Sequence, residues 1–163
     1  MPDCLPDPRD RALAYLGGER RIDNELGSGT DGTVYSVSGP SVVKVHKDLH
    51  RFNNELNAYL RLRKHNVNSV GMFHIPELRS HDTRHLIIEI SVVKPPYLID
   101  FGKSHLDEVP DYDDEAWTMW WERVEQVFGD NTAVASQIFY QMVRKYGIYH
   151  LDLNPYNLNF GDD

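Results

Sequence analysis

His150-Leu151-Asp152-Leu153-Asn154-Pro155-Tyr156-Asn157 is the stretch that decides the fold. It reads H-x-D-x-x-x-x-N, entered from a helical pattern and left through Leu158-Asn159-Phe160. Alone, a His, an Asp and an Asn at this spacing identify little. Far upstream stands a second signature, Gly27-Ser28-Gly29-Thr30-Asp31-Gly32-Thr33-Val34. It matches G-x-G-x-x-G-x-V at every fixed position. Glycines at such spacing let a backbone approach phosphates closely.

A dinucleotide-binding turn shares the glycine spacing but must open a helix. Here Val34-Tyr35-Ser36-Val37-Ser38 follows, then a Gly39-Pro40 turn, then Ser41-Val42-Val43-Lys44-Val45. This β-branched, turn-broken pattern predicts a hairpin. Lys44 lies inside an apolar strand, where an ammonium is costly to bury without an anionic partner. A phosphate and a helix carboxylate would supply one. Phe52, Leu56, Tyr59 and Leu60 recur at helical spacing. Glu55 sits among them at the border of the buried face, the only carboxylate of that helix after Asp48.

In this order, glycine loop, strand lysine, helix glutamate and H-x-D-x-x-x-x-N, the chain resembles the protein-kinase-like superfamily from about Gly27 to Phe160. The loop Asp152-Leu153-Asn154-Pro155-Tyr156-Asn157 is similar to the D-L-K-P-x-N of serine/threonine kinases and the D-L-H-P-x-N of small prokaryotic kinase-like proteins. The resemblance implies an α+β fold: a strand-rich amino-terminal lobe with one helix, plus a reduced helical carboxyl-terminal lobe. It implies ATP and Mg²⁺ as cofactors, with Gly27, Ser28, Gly29, Thr30, Gly32, Val34 and Lys44 around the nucleotide. Asp152 would orient and deprotonate a hydroxyl acceptor, Lys44 and Glu55 would form the phosphate-holding pair, and Asn157 would bind Mg²⁺. The acceptor, a protein or a small molecule, is not specified. Asn154 stands where protein serine/threonine kinases carry a lysine, which weakens a protein acceptor without excluding phosphotransfer. The alternative is a nucleotide-binding pseudokinase acting as a regulatory or interaction module.

Composition bounds the rest. The 163 residues fit one domain: an extension over residues 1–20, then a lobe over 21–93 and a reduced lobe over 94–163. A net charge of −8 does not favour nucleic acid or an anionic membrane as partner. One cysteine, Cys4, precludes an intrachain disulfide and suits a cytoplasmic location. No apolar run approaches a membrane span, and the amino terminus has no signal-like core. The short helical lobe leaves room for a protein partner or a second copy to complete it.

Strands are expected over 21–46, a helix over 48–66, and a hairpin from Ile75–Arg79 and His85–Val93. The second strand of that hairpin leads to a hinge at Val92–Lys94. Helices are expected at Ala116–Phe128, where three tryptophans give a broad apolar face, and at Ala133–Tyr146. His46, His50, His81 and His85 are read as surface or turn residues, and His150 as an anchor of the loop.

Two features depart from the family pattern. The sequence ends six residues after Asn157, where the family continues through two strands to a D-F-G aspartate and an activation segment. And Asp100-Phe101-Gly102 occurs before the H-x-D loop rather than after it. The preferred reading assigns this D-F-G to the inter-lobe connector, with Asp100 capping locally and remote from Asn157. The competing reading makes Asp100 the second metal carboxylate, ahead of Asp162 and Asp163.

Overall fold

Asp7 accepts a hydrogen bond from the Arg9 backbone N–H, and Pro8 occupies the first turn that follows. Both choices start a helix, α1 (Pro8–Leu16), and Gly17 ends it at φ +68. The computed structural model describes residues 4–162; the candidate Asp163 lies outside the described residues. After α1 come strands β1 (Ile22–Ser28), β2 (Gly32–Val37) and β3 (Ser41–His46), then helix α2 (Leu49–Lys64). Two short strands follow, β4 (Ser69–Val70) and β5 (Phe73–His74), then the hairpin of β6 (Leu78–Asp82) and β7 (Ile87–Ser91). Strands β8 (Tyr97–Leu98) and β9 (Ser104–Leu106) precede helices α3 (Asp114–Phe128) and α4 (Thr132–Tyr146). The described chain closes with β10 (Ile148–His150) and β11 (Leu158–Asn159).

The fold is α+β. An antiparallel sheet, ordered β1-β2-β3-β7-β6, makes the first lobe. Alternation along its strands serves two faces. Tyr35, Val37, Val43, Val45 and Ile87 pack with Ala12 and Leu16 of α1. On the other face, Ile88 joins Phe52, Leu56 and Tyr59 of α2 in the larger core. The segment read as an extension therefore covers one side of the sheet. Arg11 fastens it: its guanidinium donates to the carbonyls of Pro6, His46 and His85 at 2.9–3.0 Å. These bonds compensate a buried cation that would otherwise be expensive.

α2 starts where Asp48 accepts from the Arg51 N–H. Its buried residues, Phe52, Glu55, Leu56, Ala58, Tyr59 and Leu62, make one stripe at helical spacing. In the helical lobe, Asp113 caps α3 and Gly147, at φ +66, ends α4. Val124 and Phe128 are buried, while Trp117, Trp120 and Trp121 are half-buried against the core. Among the described residues, no helix is long and apolar enough to cross a membrane.

The chain's most consequential connection joins segments far apart in sequence. β8 pairs antiparallel with β11, Leu98 opposite Leu158, and β9 pairs antiparallel with β10, Ser104 opposite His150. Two helices separate the partners in sequence. The segment carrying Asp100-Phe101-Gly102 thus lies alongside the segment carrying Asp152 and Asn157, although it precedes that segment by the length of α3 and α4.

Candidate functional site

The glycine loop is the turn between β1 and β2. The Gly29 N–H donates to the Gly32 carbonyl at 3.0 Å and closes it. Gly32 is fixed by its neighbour: a Cβ there would fall 2.2 Å from the Val45 carbonyl oxygen. Gly27 and Gly29 have open space where a Cβ would be. Beneath the loop is a cleft of about 430 Å³ whose apolar lining includes Leu26, Val34, Val42, Ile90, Tyr97 and Ile99. Val92 and Val93, expected at the hinge, line its edge. Ser28 is engaged with Thr33 through their hydroxyls at 3.1 Å. Thr30 faces a second cleft, on the Asp152 side.

At the back of the first cleft stand three charges. Lys44 Nζ lies 2.7 Å from Glu55 Oε2 and 3.2 Å from Asp100 Oδ1. Burial alone would lower the Lys44 pKa, but the charges of Glu55 and Asp100 outweigh it and raise the value above the ordinary lysine range. Burial likewise opposes ionisation of Glu55, yet Lys44 and the His46 hydrogen bond hold its pKa down to about 2. His46 Nε2 lies 2.7 Å from the same Glu55 oxygen. A carboxylate can only accept, so the imidazole nitrogen is the donor.

This corrects the reading of His46 as a surface or turn residue. It is fully buried, because in a strand it shares the face of Lys44, two residues earlier, and that face meets α2. The sequence held this signal in the i, i+2 spacing. His85 does lie at the β6–β7 turn, 2.7 Å from Asp82.

Asp100 fits the preferred connector reading only in part. Its backbone adopts φ +60, and Oδ1 does accept from the Gly102 N–H at 3.3 Å, the local contact that reading anticipated. But the same oxygen faces Lys44, and Asp100 lines the cleft. Next to it, the Ile99 N–H donates to the Asn157 carbonyl at 2.9 Å. Strand pairing brings D-F-G to the H-x-D loop in space, whichever comes first in sequence.

The loop is held from several sides. His150 Nε2 donates to the Ile99 carbonyl at 2.9 Å, and its ring meets Phe101 edge-on at 5.1 Å. Trp120 Nε1 donates to the Leu151 carbonyl at 2.9 Å, a support from α3 that the apolar spacing of that helix does not reveal. Asn157 Nδ2 donates to the Asp152 carbonyl at 2.8 Å and to its Oδ2 at 3.2 Å. Asn154 Oδ1 accepts from the N–H groups of Tyr156 and Asn157, so the residue in the lysine position shapes the turn. Asp152 opens into the second cleft, about 870 Å³, with Asp31, Arg51, Lys103, Glu108, Tyr112 and Arg123 among its walls.

No protein-family model matches the chain, and no curated protein matches it. Among solved structures it is similar to the complex of gentamicin with APH(2")-IIa, at 12% sequence identity and a TM-score of 0.38. The match covers 89% of this chain and 52% of that one, so the chain spans about half the length of the solved structure.

Proposed function

We propose that the chain is a phosphotransferase that binds ATP with Mg²⁺ between its lobes and moves the γ-phosphoryl group to a hydroxyl acceptor. The observation that supports this most is the buried Lys44, paired at once with Glu55 on α2 and with Asp100 of D-F-G. A lysine held by two carboxylates beside an apolar cleft is a preset phosphate ligand. The apolar walls suit a flat base, and the glycine loop has open space at Gly27 and Gly29 for a polyphosphate.

The residues present also fit the metal. Mg²⁺ prefers hard oxygen ligands and at least one carboxylate. Asp100 Oδ2 and Asn157 Oδ1 take no hydrogen bond among the described residues, since the partners recorded use Asp100 Oδ1 and Asn157 Nδ2. Asp100 and Asn157 would hold the ion, which when bound neutralises charge on the phosphate oxygens. Asp152 accepts the acceptor's proton, its carboxylate fixed by the Asn157 amide. Lys44 orients the phosphates, and Glu55 with His46 fixes Lys44. Most of the rate enhancement is positioning and electrostatics, since phosphoryl transfer asks little covalent chemistry of a protein.

A thermal-shift titration with ATP and Mg²⁺ tests the binding half. Ligand at about 100 times its Kd should stabilise by about 2.7 kcal/mol; a flat response at millimolar ATP sinks the proposal. Binding without any transfer or hydrolysis, in assays offering peptide and small-molecule alcohols, would favour the pseudokinase alternative.

A further inference from the structure

Resting on that phosphotransfer reading, we infer that Lys103 is a catalytic residue: it supplies the cation beside Asp152 that the loop itself lacks, and binds the γ-phosphoryl oxygens during transfer.

The loop has no cation to offer. Asn154 is neutral, and both ends of its amide are engaged within the turn, Nδ2 toward Asp152 and Oδ1 toward two backbone N–H groups. Lys44 serves the first cleft, where Glu55 and Asp100 position it, and does not line the cleft of Asp152. Arg51, on the wall of the same cleft, is committed to Asp48 and Asp31. Lys103 differs. Its Nζ lies 3.6 Å from Asp152 Oδ2, its side chain is 51% exposed, and that is its one ion pair among the described residues. An ammonium has three donors, so this contact leaves capacity for an incoming phosphate.

Its backbone is held on both sides while its side chain is half exposed. On one side the Gly102 carbonyl accepts from Asn54 Nδ2 at 2.5 Å and the Gly102 N–H donates to Asp100. On the other, the Ser104 N–H donates to the Phe101 carbonyl at 3.1 Å and β9 pairs with β10. A lysine so mounted, between the D-F-G turn and the proposed base, can follow the phosphoryl group from nucleotide to acceptor.

The step balances. The acceptor oxygen forms a bond to the γ-phosphorus, and the bond from that phosphorus to the β,γ-bridging oxygen breaks, its electron pair staying with the departing nucleoside diphosphate. The acceptor proton goes to the Asp152 carboxylate. Lys103 keeps its protons and donates hydrogen bonds to non-bridging oxygens, where charge is spread in the transition state. An exposed ion pair adds little to stability, so Lys103 can be replaced without unfolding the protein.

The test compares Lys103→Met and Lys103→Arg with the parent. It reads melting temperature, ADP affinity, the tightening of Mg·ADP binding by aluminium fluoride, and kcat and KM for ATP turnover. For Lys103→Met we expect an unchanged melting temperature, ADP affinity within about twofold, loss of the aluminium fluoride tightening, and a fall in kcat of about 10²–10³-fold at similar KM. Lys103→Arg should recover part of both. If Lys103→Met keeps the tightening and its kcat stays within about threefold of the parent, Lys103 is only a surface ion pair and the inference is wrong. If the parent binds no ATP at all, the phosphotransfer reading falls first and takes the inference with it.

Discussion

Replacing Glu55 by glutamine removes one charge and almost no volume from the buried cluster it forms with Lys44 and His46. The carboxylate is wholly buried, with its pKa held at about 2 against an ordinary 4.5. At about 1.4 kcal/mol per pKa unit, this favours the folded, ionised state by about 3 kcal/mol at neutral pH. Glu55→Gln also leaves the Lys44 ammonium buried with Asp100 at 3.2 Å as its remaining partner. Breaking a buried pair on one side destabilises by about 3–5 kcal/mol, a large share of the roughly 5–15 kcal/mol available to a domain. With a urea m-value of about 2 kcal/mol/M, the unfolding midpoint at pH 7 should fall by about 2 M. The pH dependence has a definite sign. A depressed carboxylate contributes fully above its unfolded pKa, and loses that contribution as pH falls through 4.5 toward about 2. The variant has no such group. The stability gap between parent and variant should therefore narrow by about 2 kcal/mol between pH 7 and pH 3. A gap under about 1 kcal/mol at pH 7, or one that does not change with pH, would refute the account of this cluster.

Asp152→Asn should reduce γ-phosphoryl transfer by about 10²–10⁴-fold, the usual worth of a general base, while ATP affinity by equilibrium titration stays near the parent's. Asp100→Ala should raise the Mg²⁺ concentration needed for turnover and leave metal-free nucleotide binding unchanged; an unaltered Mg²⁺ dependence removes Asp100 from the metal site. Gly32→Ala forces a Cβ to within 2.2 Å of the Val45 carbonyl oxygen and should destabilise by roughly 2–4 kcal/mol. Gly29→Ala, with open space at that position, should stay within about 0.5 kcal/mol. Equal melting temperatures for these two variants would contradict the packing described for the loop.

The first lobe was legible because its signals are local. Glycine spacing, alternation through Val42-Val43-Lys44-Val45 and the α2 stripe each fix a strand, a turn or a helix within a few residues. They put Lys44 on a strand and Glu55 at the edge of a helical stripe, and the family resemblance supplied the expectation that the two meet. β4 and β5 left no signal, since strands of two residues carry no period. His46 was misread as a surface or turn residue because its strand neighbour two residues earlier, Lys44, was not used to assign its face. The contact of Asp100 with Lys44 was missed because motif order stood in for proximity. Pairing between β8 and β11 is a long-range contact, and no window of sequence around Asp100 contains its partner. Trp120 and Lys103 fall in the same class: each meets the Asp152 loop through tertiary packing alone.

Leu98 and Leu158 are cross-strand partners sixty positions apart. The entropy of closing so long a loop grows only with the logarithm of its length. Compared with a connection of about a dozen residues, it costs about 1.4 kcal/mol more. Connectivity at this corner is thus thermodynamically cheap, and its burden falls on kinetics, since non-local contacts form slowly. Moving the segment 97–108 behind β11, with residue 96 joined to residue 109 and the chain ending at the exposed Glu108, should rebuild the same corner. Such a chain would reach it sooner, and slightly more stably, than the natural order of segments allows.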